Sequence, residues 1–188
     1  MIDRKMFFKS VRASFGKLKQ SQVNGFNAIL DAWDHYQYTD MRWLAYMLAT
    51  AWHETAKTMQ AIEEYGKGRG RKYGKADPRT GHAYYGRGLV QLTWDYNYKK
   101  MGKILGIPLY ENPHLALDLE IAVEIMFEGM LTKKSFSGDF TGVSLEKYFN
   151  SKTDDPVGAR RIINGTDRAK LIAGHHGKFL MAIAADRA

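Results

Sequence analysis

The sequence predicts one mostly α domain, with a helical main lobe and a small β-hairpin lobe. Three observations predict it. Apolar residues recur at helical spacing through most of the 188 residues. One stretch from Ala61 to Gly88 is instead rich in Gly, Lys, Arg and Tyr and cannot continue as a helix. No internal repeat or flexible linker divides residues 1–188, so they read as a single unit.

Residues 3–14 carry a stripe of Met6, Phe7, Val11 and Phe15, ended by Gly16. Ser21 is the expected N-cap of a second helix that runs to about Trp33 through Val23, Phe26, Ile29 and Leu30. Asp40 precedes a third helix. Short strands around Ile62–Tyr65 and Lys72–Tyr73 are expected to form the hairpin, and Asp77-Pro78 opens a turn. Thr93 is the expected N-cap of a helix ending near Gly106, with Thr93 and Asn97 on one face. Pro108 and Pro113 bracket a loop. A strongly apolar helix covers Leu119–Leu131, and residues 133–142 read as a Ser/Gly/Lys loop. Leu145–Phe149 is a short helical piece, Asp154-Asp155-Pro156 starts another, and the last helix runs from about Asp167 to Ala185.

The stretch Ala45–Glu64 organises the chain. Trp43, Met47 and Ala51 mark one face of the third helix, and Glu54 falls within roughly 20° of Trp43 and Met47 at about 100° per residue. An ionised carboxylate on a buried face is costly, and burial raises a carboxyl pKa. That setting suits a general acid. A solvated Glu, or one paired with a Lys or Arg, fits the same position.

Composition narrows the classes. A hydrophobic fraction of 45% with 26% charged residues is that of a soluble globular protein. The absence of cysteine excludes a disulfide framework and thiol catalysis. No run approaches the ~18 apolar residues of a membrane span, and Asp3, Arg4 and Lys5 precede a mixed segment rather than a secretory signal. The expected place of synthesis is the cytoplasm. The net charge of +8 favours a polyanion, whether nucleic acid, anionic lipid or an acidic polymer.

His53-Glu54 starts a zinc-protease pattern, but the second His would have to stand where Lys57 does, so that reading fails. His175-His176 are neighbours on a helix and point apart. No metal or cofactor is expected. The glycines after Glu64 do not fit a dinucleotide-binding loop. A carboxylate pair is the better candidate: Glu54, then Glu63 and Glu64. Two acids across a cleft hydrolyse glycosidic bonds, one protonating the leaving oxygen and the other attacking the sugar or activating water. Tyr65, Tyr73, Tyr84, Tyr85 and Trp94 offer faces for sugar rings, or core packing.

WHETAKTMQAIEEYG, YYGRGLVQLTWDYNY and RRIING together resemble glycoside hydrolase family 19, the chitinase-like lysozymes, and most of all its phage and prophage endolysins. The resemblance spans the chain. It implies an α+β lysozyme-like fold with a cleft between the helical and hairpin lobes, no separate cell-wall-binding domain, and an inverting hydrolysis of β-1,4 bonds in peptidoglycan. Chitin oligomers are the alternative substrate, and a silent glycan-binding module or a nucleic-acid binder the alternative class. Residue by residue, Glu54 matches the general acid, and Glu64 the second carboxylate with Glu63 as competitor. Thr93 matches a position that holds the attacking water. Gln91, Asn97 and Asn164 match sugar-binding positions. Tyr85 and Glu63 join that substrate-binding set, as does Arg87, which braces the site through charged hydrogen bonds. Many relatives have glycines where this chain has Ala56-Lys57.

The resemblance also implies a monomer acting on peptidoglycan strands in the periplasm of a host bacterium, released there through a helper pore of the holin type. Lys67, Arg69, Arg71, Lys72 and Lys75 flank the proposed cleft, where they attract an acidic glycan or simply keep the surface soluble. The basic C-terminal helix, with Leu171, Ile172, Phe179, Leu180, Met181 and Ile183, packs in the core or engages anionic outer-membrane lipid.

Overall fold

The computed structural model describes residues 2–131 and 140–186. Helix α1 (Arg4–Phe15) starts where the Asp3 carboxylate accepts from Met6 N and stops at Gly16, in the left-handed region at φ 88°. Helix α2 (Gln20–Tyr36) begins one residue before Ser21. Lys19 takes the cap position and its N–H donates to Gln22 Oε1 at 2.7 Å. A Gln reaching back from the first turn satisfies the donor that a Ser cap would have left free.

Helix α3 (Met41–Glu54) is capped by Asp40, as expected, and every residue from Leu44 to Trp52 is buried. It is the central rod of the molecule. Helix α7 (Ala169–Ile183) lies along it, and α1 packs on α7. The rings of Phe15 and Phe179 stack at 4.8 Å, and those of Phe26 and Trp52 at 6.0 Å, which ties α1, α2, α3 and α7 into one core. Ile172, Phe179 and Ile183 are therefore core residues, and Leu171 and Met181 are the large apolar side chains that α7 leaves exposed. The helix starts later than expected because Arg168 precedes it at φ 55°.

The sheet pairs β1 (Ile62–Glu63) with β2 (Arg87–Gly88), antiparallel, with Glu63 opposite Arg87. The Lys72–Tyr73 strand expected from the sequence is a 3₁₀ turn, Lys72–Gly74. The cause is a contact of bare backbone: a Cβ on Gly74 would overlap Gly68 O, and Gly68 sits at φ 69°. The lobe folds back on itself there instead of pairing as a strand. Asp77 does form its turn, its carbonyl accepting from Gly81 N at 2.7 Å.

Helix α4 (Asp95–Leu105) ends at Gly106 as expected but starts after Trp94, which holds φ 74° while its N–H donates to Tyr84 O at 2.8 Å. That bond fixes the entry to the helix, so Thr93 is no cap. Pro113–Leu117 forms a 3₁₀ turn and α5 (Leu119–Met130) follows, its N-terminus capped by the Asp118 carboxylate. Of the loop expected at 133–142, residues 133–139 lie outside the described residues. Helix α6 (Leu145–Tyr148) and a 3₁₀ turn at Gly158–Ile162 lead into α7.

Candidate active site

A cavity of about 540 Å³ opens between the end of α3, β1, the turn after β2, the start of α4 and the Ile163-Asn164 segment. Glu54, Glu63, Glu64, Gln91, Thr93, Asn97 and Asn164 all line it.

Glu54 is the last residue of α3, at the negative end of that helix's dipole. Its side chain is 14% exposed, and Arg160 Nη1 meets its Oε1 at 2.5 Å. Arg160 is itself only 2% exposed and donates from Nε to Asp167 O at 2.8 Å. The helix face is apolar as expected, and of the two settings open for Glu54 at its end, bare burial or a basic partner, the structure has the basic partner. The dipole and the partial burial both make this a poor place for an unpaired acid, and Arg160 offsets both. His53, beside Glu54 on the cavity wall, is held below the usual histidine range by burial.

The turn that follows is tight. Ala56, Lys57 and Met59 hold φ of 49°, 71° and 54°, a region that suits glycine. Thr55 pins it, donating to Ala51 O at 2.7 Å and accepting from Met59 N at 3.0 Å. Helix α2 supports it from outside: Gln22 Nε2 donates to Lys57 O at 2.8 Å, and Gly25 touches the Met59 backbone, where any Cβ would overlap.

The two acids at β1 differ in their partners. Glu63 accepts from Tyr85 OH at 2.6 Å, pairs with Lys67 Nζ at 2.9 Å and lies 3.7 Å from Arg87 Nε. The Tyr85 hydroxyl first, then Lys67, hold it below the usual carboxylate range. Glu64 accepts from uncharged groups: Gly86 N at 3.1 Å and Tyr73 OH at 3.3 Å.

Tyr85 and Arg87 do not reach the cavity. Arg87 is buried, its Nη1 donating to Ala83 O, Tyr85 O and Tyr98 OH, with its guanidinium 3.8 Å from the Tyr85 ring centroid. The sheet register places Arg87 opposite Glu63, and both side chains face that acid, Tyr85 OH at 2.6 Å and Arg87 Nε at 3.7 Å. Neither lines the cavity, so a part in substrate binding would act through Glu63. Tyr84 is buried too, stacked on Tyr110 at 5.1 Å. The exposed aromatics of the rim are Tyr65, at 82%, and Tyr96, at 57%. Trp94 stacks on Tyr96 at 6.0 Å and meets the edge of Tyr73 at 5.3 Å.

Gln91 Nε2 donates to Ile62 O and Gly88 O, both at 3.1 Å, which clamps the turn after β2 across the sheet. Asn97 Nδ2 donates to Thr93 O at 2.9 Å, so these two are joined by a bond rather than by a shared helix face. Arg160, which touches Glu54, was not singled out from the sequence, and Tyr73, read there as an aromatic face, instead turns its hydroxyl to Glu64. Arg160 belongs to the quoted RRIING block, but nothing in the sequence says which of its two arginines turns inward.

The family model described as chitinase class I matches residues 44–166, the span from α3 to just past Asn164. A relative in Arabidopsis thaliana, endochitinase At2g43620, is 40% identical over 92 residues, 48% of this chain and 32% of that protein. Endochitinase 1 of Theobroma cacao is 35% identical over 79 residues, 42% of this chain and 25% of that protein. The matches thus span about a third or less of these curated relatives. In structure, a bacterial family 19 chitinase superposes with a TM-score of 0.62 at 22% identity, over 97% of this chain and 94% of that one. Chitinase C from Streptomyces griseus HUT6037 gives 0.62 at 20% identity, over 97% and 76%. Both share the lysozyme-like fold seen here. These relatives are chitinases, where the sequence resemblance had pointed first to endolysins. With nearly two thirds of its residues inside the family match, the chain belongs to glycoside hydrolase family 19.

Proposed function

We propose that the chain hydrolyses β-1,4 bonds in glycans of N-acetylated amino sugars, with inversion at the anomeric carbon, and that chitin-type oligomers are its substrate. The observation that carries this reading is one cleft holding two acids in unlike settings, Glu54 against a buried cation and Glu64 against neutral donors.

In this mechanism Glu54 gives its proton to the glycosidic oxygen as the bond to the anomeric carbon breaks. Negative charge then develops on Glu54 beside Arg160, a fixed partner that stabilises the transition state more than the ground state. Water attacks the anomeric carbon from the opposite face and loses its proton to Glu64. Glu63 is the weaker candidate for that base, because cations and Tyr85 already occupy its oxygens. Thr93 holds the water, with Asn97 fixing its backbone. Gln91 and Asn164 line the wall that a sugar would contact.

The relatives' names favour chitin. The net charge of +8 favours the other substrate, anionic peptidoglycan. The test is release of new reducing ends from N-acetylglucosamine hexamer and from purified peptidoglycan, by the parent and by Glu54→Gln. A folded Glu54→Gln variant with parental rates removes the acid from its role. A parent that binds either polymer without producing reducing ends is a binding module and not a hydrolase.

A further inference from the structure

We propose that the groove beyond Tyr73 and Trp94 is a subsite for the carboxylate substituent of an anionic amino-sugar glycan. The proposal rests on the reading of the neighbouring cleft as a glycan hydrolase site and adds to the neutral chitin-type oligomers a second substrate class, amino-sugar glycans that carry a carboxylate.

The groove holds about 490 Å³ and shares two wall residues, Tyr73 and Trp94, with the catalytic cavity. A glycan lying past Glu64 would cross that shared wall to enter it. The wall is fixed: Tyr73 OH donates to Glu64 Oε1 at 3.3 Å, while Tyr73 O accepts from Tyr84 N at 3.1 Å. Trp94 is anchored by its own N–H on Tyr84 O at 2.8 Å.

The charges of the groove are not balanced. Its two acids are both occupied. Asp77 accepts from Arg79 Nη2 at 2.6 Å and from Tyr110 OH at 2.7 Å. Asp95 takes Lys99 at 3.3 Å and Arg79 at 3.6 Å. Lys72 and Lys75, exposed at the two ends of the 3₁₀ turn, form no ion pair among the described residues. A neutral chitin chain offers two such ammonium groups hydroxyl and amide oxygens but no counter-charge. A sugar bearing a carboxylate does, through charge-assisted hydrogen bonds. The aromatic wall would hold the ring while the lysines take the acid.

The experiment compares the parent with Lys72→Gln/Lys75→Gln and with Lys5→Gln/Lys9→Gln, which removes the same charge from exposed positions on α1. Substrates are N-acetylglucosamine hexamer and peptidoglycan strands freed of stem peptides, which keep the lactyl carboxylate. The expected result is a loss of about tenfold in kcat/KM on the anionic strands for the Lys72/Lys75 variant, with the hexamer rate within about twofold of the parent. The α1 variant should match the parent on both. Equal losses on both substrates, or an equal loss from the α1 variant, would overturn the proposal. A parent that cleaves the hexamer but leaves the anionic strands intact overturns it while the hydrolase reading stands. A parent inactive on both takes that reading down as well.

Discussion

Arg160 Nη1 lies 2.5 Å from Glu54 Oε1, joining residues 106 apart in sequence. The contact sets a buried guanidinium against the acid that ends α3, and it predicts how the site fails. Arg160→Met keeps an unbranched side chain but leaves Glu54 unpaired at a helix C-terminus. Removing one partner of a buried pair costs about 3 kcal/mol, so the melting temperature should drop by several degrees. Arg160→Lys retains the charge but loses the bond from Nε to Asp167 O, and should lose more in kcat than in stability. Thermal melts beside hexamer assays separate the two effects. Full stability in Arg160→Met would show that the pair contributes nothing to the fold.

Glu63 and Glu64 should part company on substitution. Glu64→Gln can still accept from Gly86 N and Tyr73 OH, so its melting temperature should stay near the parent's while kcat falls at least about a hundredfold. Glu63→Gln strips the charge that faces Arg87, whose buried Nε has no hydrogen-bond partner. It should lose up to about 1 kcal/mol of stability and a smaller share of kcat. The reverse pattern, with only Glu63→Gln inactive, would make Glu63 the base.

Acid should weaken the fold in two windows. His53, His175 and His176 are all held below the usual histidine value of 6.5, chiefly by burial. The unfolded chain therefore binds protons before the native one, and stability is lost as pH falls from about 6.5. Glu63 lies below its ordinary 4.5, so its contribution is present above that pH and lost as pH falls through its lowered value. Because Glu63 is partly exposed, its share is small. Melting curves from pH 7.5 to 3.5 should show both falls, and His176→Phe should flatten the upper one. A profile flat between pH 7 and 5 would contradict the histidine account.

The turn after Glu54 is strained where a glycine would not be. Lys57→Gly, at φ 71°, should relieve about 1 kcal/mol and raise the melting temperature by ~2–4 °C. A drop in melting temperature would mean that the Lys57 side chain holds the turn.

Gly25→Ala tests the same turn from its other side. Its methyl would overlap the Met59 backbone, which has no flexible end to yield. A loss of roughly 1–3 kcal/mol is expected, with kcat falling too as the Thr55–Met59 segment moves. An unchanged melting temperature would show that α2 and the turn can separate freely.

Much of the helical lobe was legible because its signals are local. Asp3 and Gly16 frame α1, Asp40 starts α3, and Gly106 ends α4 within one turn of the apolar stripes they bound. Of the small sheet, the strand at Ile62 was legible but its partner was not, because Arg87–Gly88 lies beyond the whole lobe and the expected partner, Lys72–Tyr73, is a 3₁₀ turn. Thr93 looked like a cap because its hydroxyl chemistry is right. The Trp94 bond to Tyr84 O, a tertiary contact, moved the helix start past it. The motif blocks brought Glu54, Glu64, Gln91, Asn97 and Asn164 to one cavity. They could not say that Tyr85 and Arg87 face inward, since sheet register decides that. Nor could they reveal that Ala56 and Lys57 occupy left-handed backbone, although their departure from the glycines of the resembled family marks the spot.

Synthesis runs from the N-terminus, so Glu54 leaves the ribosome long before Arg160 does. A nascent chain stopped anywhere in between carries the acid without its counter-ion and α3 without the α7 surface that covers it. Closing a contact across so many residues is also slow, since it must await the ordering of the chain between. The cleft is thus finished only once the chain has been made through α7, and fragments that stop before Arg160 should be inactive whatever acids they carry.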